Sequence, residues 1–320
     1  MADHMAPDRT GHLEVPGATL YHEVRGEGPL LLLLPGGSAD AGIYDRMAAR
    51  LADRWTVATL DPRGYSRSVI DGGTGEQRVA VQSEDAYRLI ELLAPDGGPV
   101  SVFGASSGAI VALDLLARHP GRLHRVVAHE PPLVELLPDP ERGRRLFASV
   151  RDSFRAGGVA AALATMTEGL MASAPSSPPV PETAAKTETE PRMEPEPEPE
   201  PEPGPGPGPE PEPVEQTVRE AEAVQRMHAN LPVFLEHVLC SFSGHTLDLE
   251  ALARGGRKLV VGVGAESGTL LTAVPGPRLA DRAGGGLVEF PGGHTGSSEH
   301  PEAFAARLRS VLLDRTSPGA

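Results

Sequence analysis

The chain has 320 residues, enough for one large domain or two small ones, with 39% hydrophobic and 23% charged residues. A net charge of -15 argues against nucleic acid or an anionic membrane as the main partner. The single cysteine, Cys240, excludes an internal disulfide and a cysteine metal cluster. The N-terminal stretch MADHMAPDRTGH lacks a basic start and an apolar core, so no signal peptide is expected. The longest apolar run, Leu30 to Leu34, is far too short to span a bilayer. These features predict a soluble, cytoplasmic protein.

In chain order, HLEV and ATLYHEV predict an antiparallel pair split by the turn Pro16-Gly17. PLLLLL, from Pro29 to Leu34, reads as a strand buried on both faces. IYDRMAARLADR has helical spacing, TVATL is the next strand, and RVAVQSEDAYRLIELL is an amphipathic helix. VSVF (strand), GAIVALDLLARH (helix) and LHRVVAH (strand) follow. From Pro131 to about Gly256 the alternation stops. It resumes with KLVVGV (strand), LLTAVPGPRLADRA (helix), GLVEF (strand) and PEAFAARLRSVLL (helix). Alternation on this scale predicts a mostly parallel sheet with helices on both faces.

Inside the interruption lies a low-complexity tract, residues 173–213, rich in Pro, Glu and Gly. Between Glu182 and Glu212 it holds ten Glu against one Lys and one Arg, about half of the chain's excess charge. Proline at alternate positions excludes helix and central strand, and repulsion between glutamates extends the chain. A solvated, disordered surface insertion is expected rather than a binding motif. The helical flanks predict a cap inserted into the sheet domain, with core segments 1–132 and 257–320 and the cap at 133–256.

The junction after VSVF reads Gly104-Ala105-Ser106-Ser107-Gly108, a G-x-S-x-G between strand and helix. A sharp turn there strains the central residue, small neighbours relieve the crowding, and the Ser106 hydroxyl stands free above the sheet edge. The backbone N–H of Ser107 falls at a helix N-terminus, suited to a developing oxyanion. Pro35-Gly36-Gly37, after PLLLLL, can aim a second N–H, from Gly37, at the same oxygen. Pro291-Gly292-Gly293-His294, after the last strand, carries a histidine able to reach Ser106. His129, His237 and His245 read as packing or surface residues.

The segment ATLDPRGYSRS resembles the α/β-hydrolase superfamily pattern D-x-R-G-x-G-x-S at Asp61, Arg63, Gly64 and Ser68, with Ser66 in place of a glycine. GGHTGSSEHPEAFAARL resembles the family's histidine loop and final helix, and Pro35-Gly36 stands where the family usually has His-Gly. The resemblance implies an eight-stranded, mostly parallel sheet and a Ser-His-acid triad. It also implies a carboxylate after the seventh strand or, less often, the sixth. Two candidates fit: Glu130, at the end of LHRVVAH, and Glu266, in GAESG, one residue short of the usual place, where Ser267 stands. The position of Glu130 resembles the acid of some haloalkane dehalogenases and is favoured. Asp61 is read as structural, held by Arg63 or backbone amides.

The reading is thus a cofactor-independent serine hydrolase of an ester or related acyl bond. Ser106 is the nucleophile, His294 the base, Glu130 (alternatively Glu266) the acid, and the Gly37 and Ser107 amides form the oxyanion hole. No P-loop, EF-hand or H-E-x-x-H occurs, so no metal and no cofactor are expected. A small, apolar-leaning substrate is expected under a cap bearing Met227, Phe234, Leu235, Val238 and Leu239, with Met166, Leu170 and Met171 nearby. Three alternatives stay open. One is another reaction of the same triad: C–C hydrolysis, perhydrolysis, or a tailoring cyclisation or transfer. Another is a non-catalytic ligand-binding protein on the same scaffold. The third is an interaction protein that uses the Glu-Pro tract as a tether.

Overall fold

The computed structural model describes residues 6–171 and 218–314; the Pro/Glu tract expected at 173–213 lies outside the described residues. The strands are β1 (Arg9–Val15), β2 (Ala18–Arg25), β3 (Leu30–Leu34), β4 (Thr56–Leu60), β5 (Val69–Ile70), β6 (Val100–Ala105), β7 (Leu123–His129), β8 (Leu259–Gly264) and β9 (Gly286–Phe290). Eight of them form one sheet in the order β1-β2-β4-β3-β6-β7-β8-β9, and the two-residue β5 pairs with β2 off that path. β2 runs antiparallel to both β1 and β4. Every other neighbouring pair along the path is parallel. The expected eight strands are present, and β5 is too short to have left a period in the sequence.

The helices are α1 (Asp45–Leu51), α2 (Val79–Leu93), α3 (Ser107–Arg118), α4 (Pro140–Met171), α5 (Val218–Val233), α6 (Leu239–Ser243), α7 (Leu249–Arg254), α8 (Pro275–Ala283), α9 (Gly296–Glu299) and α10 (Pro301–Leu313). The helix expected over LLTAVPGPRLADRA begins only at Pro275, whose ring suits a first helical position and which has no N–H to donate there.

Why β3 sits at the centre follows from its five leucines, all buried. Successive side chains of a strand point to opposite faces. Leu30, Leu32 and Leu34 pack with Leu89, Ile110 and Leu113 of α2 and α3. Leu31 and Leu33 pack instead with Met47, Leu51 and Phe304 of α1 and α10. One apolar run therefore anchors both helical layers.

Between β7 and β8 the chain leaves the sheet for α4 to α7. α4 is broken at Gly158 (φ 75, ψ -167). Its Phe147, Val150 and Ala162 form a small core of their own with Leu235, Leu239 and Leu271. Because the central strands are parallel, the ends of β3, β6, β7, β8 and β9 all open on one edge, where the inserted segment also lies.

At that edge α3 comes unusually close to β3 and β6. A Cβ added to Gly104 would lie 2.7 Å from the Gly108 carbonyl carbon, and one on Gly108 would lie 2.5 Å from Pro35 O. Both obstacles are backbone and cannot swing away. Gly108→Ala is therefore expected to lower the urea-unfolding free energy by about 1–3 kcal/mol through overpacking. Gly121→Ala, where an added Cβ meets nothing within 4 Å, is expected to stay within about 0.5 kcal/mol of the parent.

Candidate active site

Ser106 joins β6 to α3 with φ 54 and ψ -121, a backbone conformation rare for any residue but glycine. The turn is held at both ends. Ser106 N–H donates to His129 O at 2.9 Å, and Ser106 O accepts from Ala109 N–H at 3.0 Å. The Ser106 side chain makes no capping bond to its own helix. Its hydroxyl instead lines a cavity of about 330 Å³, with Gly37, His294, Met227 and Phe234 among the other walls.

His294 sits four residues beyond β9 on a loop that doubles back over β8. Ala265 N–H donates to Phe290 O at 2.9 Å and Glu266 N–H to Gly292 O at 3.0 Å, tying the two loops together. The imidazole Nδ1 lies 2.8 Å from Glu130 Oε2. Glu130 is fully buried at the end of β7. Its Oε1 accepts from Gly264 N–H at 2.8 Å and its Oε2 from the Thr272 hydroxyl at 3.2 Å. Burial opposes its charge, but the bonds from His294 and Gly264 N–H, together with the adjacent Ser267 hydroxyl, outweigh it and hold the carboxyl down at about 2. An ionised carboxylate only accepts, so Nδ1 carries the hydrogen of this bond, and in the neutral imidazole Nε2 is the nitrogen with the lone pair. Glu266, the other candidate acid, is exposed. Ser267 stands where the usual aspartate was expected, buried beside the Glu130 carboxylate.

His129, read from the sequence as a packing or surface residue, is fully buried against Phe290 and Phe304. Its Nε2 donates to Gly293 O at 3.3 Å, directly beneath the His294 loop. Burial drives its imidazole down to about 4, so it stays neutral across the ordinary pH range.

The Gly37 amide does something the sequence did not suggest. It donates to the Ser107 hydroxyl at 2.9 Å. The carbonyls around it are fixed as well: Gly37 O accepts from the buried Tyr65 hydroxyl at 3.0 Å, and Ser38 O from Asn230 Nδ2 at 3.0 Å. Asp61 is held by backbone amides, as expected, from Ala41 and Arg67, and also by the Arg67 side chain; Arg63, the other expected partner, pairs with Asp85 instead.

α5 brings Met227 to the cavity, and charge fastens α5 beside the sheet edge. Arg219 bridges the buried Glu23 and Asp45 at 3.0 and 2.9 Å, Arg226 pairs with the buried Asp40, and Glu220 pairs with Arg46. Pro232 then removes one helical donor, and a wider π turn, Phe234–Val238, delivers Phe234 to the cavity. Leu235, Leu239, Met166 and Leu170 pack inside the inserted segment, and Val238 packs against the sheet core. The Met171 side chain lies outside the described residues. Among the described residues no group of three or more His, Cys, Asp or Glu is arranged to hold a metal ion. No described helix is long and apolar enough to cross a membrane.

The adjacent His129 and Glu130 bear on acid stability with the same sign. His129 falls from 6.5 to about 4 on folding and Glu130 from 4.5 to about 2, so in each window the unfolded chain binds more protons. Their contribution is complete above pH 6.5, declines towards pH 4 as unfolded His129 gains its proton, and declines again from pH 4.5 towards pH 2 through Glu130. Urea titrations across this range are expected to show both declines. His129→Gln, which keeps a donor for Gly293 but does not titrate, should weaken the upper one, leaving the share of the buried His22, whose imidazole burial also lowers.

Comparison with known proteins agrees with this architecture. A sequence model described as alpha/beta hydrolase fold matches residues 29–196. The uncharacterised hydrolase YraK of Bacillus subtilis (strain 168) is 30% identical over 308 residues, 94% of this chain and 95% of that protein. Among solved structures, a thermophilic esterase from Thermogutta terrifontis superposes with a TM-score of 0.64 at 17% identity, covering 95% of this chain and 98% of the other. An enol-lactonase from Burkholderia xenovorans LB400 superposes with a TM-score of 0.61 at 19% identity, covering 95% and 100%. With a matching family signature over more than half its length and a full-length hydrolase relative, the chain belongs to the α/β-hydrolase fold family.

Proposed function

We propose that this α/β hydrolase cleaves an ester or lactone bond of a small, apolar-leaning substrate through an acyl-enzyme on Ser106. The observation that carries the reading is the Glu130–His294 pair at 2.8 Å, with His294 and Ser106 on the walls of one cavity. In this reading Nε2 of His294 removes the Ser106 proton as Oγ attacks the substrate carbonyl. Glu130 keeps the hydrogen on Nδ1 and stabilises the imidazolium that forms. The imidazolium then protonates the leaving alcohol as the C–O bond breaks. A water, deprotonated by His294, attacks the acyl-enzyme, and the acid departs with Ser106 regenerated. The Ser107 N–H, first amide of α3 and without an intrahelical acceptor, is one donor to the oxyanion.

Two features support the apolar lean. Met227, Phe234, Ile43 and Tyr44 supply much of the cavity wall. Two similar proteins, the Thermogutta esterase and the Burkholderia enol-lactonase, carry names of ester and lactone cleavage. We also propose the division into core segments 1–132 and 257–320 and a cap at 133–256. It rests on the small core that α4 and the turn after α5 form together, which Leu271 joins from the second core segment.

On a series of chromogenic esters of increasing acyl length, Ser106→Ala is expected to lower kcat/KM by about 10^4 or more. Parent-level turnover by that variant would end the proposal. Glu130→Gln is expected to lower kcat by about 10^3–10^4, since a neutral amide can leave the imidazole in the wrong tautomer, whereas Glu266→Gln should leave it within about twofold. Equal, mild effects of the two substitutions would remove Glu130 from the triad.

A further inference from the structure

We infer that the side chain of Ser107, the residue after the nucleophile, is itself an oxyanion donor, with the Gly37 amide acting through it. The inference rests on the serine-hydrolase reading above. In the sequence Gly37 and Ser107 looked like two independent main-chain donors. The geometry couples them: Gly37 N–H donates to Ser107 Oγ at 2.9 Å and so spends its hydrogen on that oxygen.

The bond is not a loose contact. Tyr65 and Asn230 hold the carbonyls of Gly37 and Ser38, and Asn230 is itself fixed, accepting from Ser66 N–H at 2.9 Å. The Gly36 carbonyl, in the same peptide unit as that amide, accepts from Ala39 N–H at 3.1 Å, so the turn itself sets the amide direction. Gly37 has φ 59 and faces open space where a Cβ would stand, so its peptide borders the cavity rather than the packed interior. Ser107, 8% exposed, sits at the start of α3 directly after Ser106.

A hydroxyl has one hydrogen to give and two lone pairs. The Gly37 amide fills one lone pair. Among the described residues the Ser107 hydroxyl hydrogen meets no protein acceptor. When Ser106 attacks a carbonyl beside this turn, the new oxyanion is an acceptor for that hydrogen. Accepting from Gly37 polarises the Ser107 O–H and makes it the better donor. The oxyanion is then held by two groups of one residue, the N–H and the O–H of Ser107, with Gly37 one bond behind. No group is consumed: the hydroxyl keeps its proton and returns to rest when the carbonyl re-forms.

Ser107→Ala and Ser107→Thr test this beside Ser106→Ala, with kcat and KM measured on one ester and the inhibition constant of a trifluoromethyl ketone of matching acyl group. Ser107→Ala is expected to lower kcat about 10^2-fold, leave KM within about twofold, and weaken the ketone by a factor similar to the loss in kcat/KM. Ser107→Thr, which retains the hydroxyl, should recover most of both. A merely structural role would not tie ketone affinity to kcat. If Ser106→Ala abolishes turnover while Ser107→Ala keeps or raises kcat, the Ser107 hydroxyl is only an occupant of the Gly37 amide, and this inference fails alone. If Ser106→Ala itself retains turnover, the hydrolase reading and this inference fail together.

Discussion

The site depends on how closely the backbone of α3 can approach the ends of β3 and β6. Ser106 holds a left-handed conformation at the junction, and Gly104 and Gly108 lack the Cβ atoms that would strike main chain. That approach lifts the Ser106 hydroxyl clear of its own helix. It also sets the first amide of α3 beside the turn that follows β3. Strain of this kind is of order 1–3 kcal/mol and persists only where surroundings over-determine it. Here they do, since the five buried leucines of β3 lock both helical layers around the junction.

A second strained residue completes the arrangement. Glu130, with φ 45, turns its carboxylate inward under the loop that follows β8. A fully buried carboxylate is expensive unless its oxygens are satisfied. Gly264 N–H, the Thr272 hydroxyl and the His294 imidazole satisfy these, and Ser267 stands close by. The buried neutral His129 supports the loop that carries His294 from below, through Gly293 O. Ser106 and Glu130, two of the three described non-glycine residues with positive φ, thus lie at the ends of adjacent strands, β6 and β7, and aim their side chains onto one edge of the sheet.

Much of this was legible in the residue order. Unbroken apolar runs named the buried strands, and TVATL, LHRVVAH and GLVEF coincide with β4, β7 and β9. The elbow was readable because only small residues tolerate a backbone approach at a strand–helix junction. What stayed hidden depends on side-chain reach across long separations. Nothing local distinguishes Glu130 from Glu266; the difference is that one points inward from a left-handed residue while the other is exposed. Arg219 meets Asp45 and Glu23 from 174 and 196 residues away, a pairing no window of sequence contains. Asp61 binds Arg67 rather than the nearer Arg63, because the turn at Gly64 sends Arg63 towards Asp85 in α2. The Gly37 bond to Ser107 was invisible for a similar reason, since it joins a turn and a helix start 70 residues apart.

The central claim is that the Ser106 hydroxyl is made nucleophilic by His294 at the rim of the sheet. Covalent trapping tests it most directly: the protein is treated with a fluorophosphonate, digested, and the modified peptide located by mass spectrometry. The account predicts one phosphonate per chain on the peptide bearing Ser106, formed at least about 10^2-fold faster than in the His294→Ala variant. Failure to label, labelling at another residue, or an equal rate without the imidazole would contradict it.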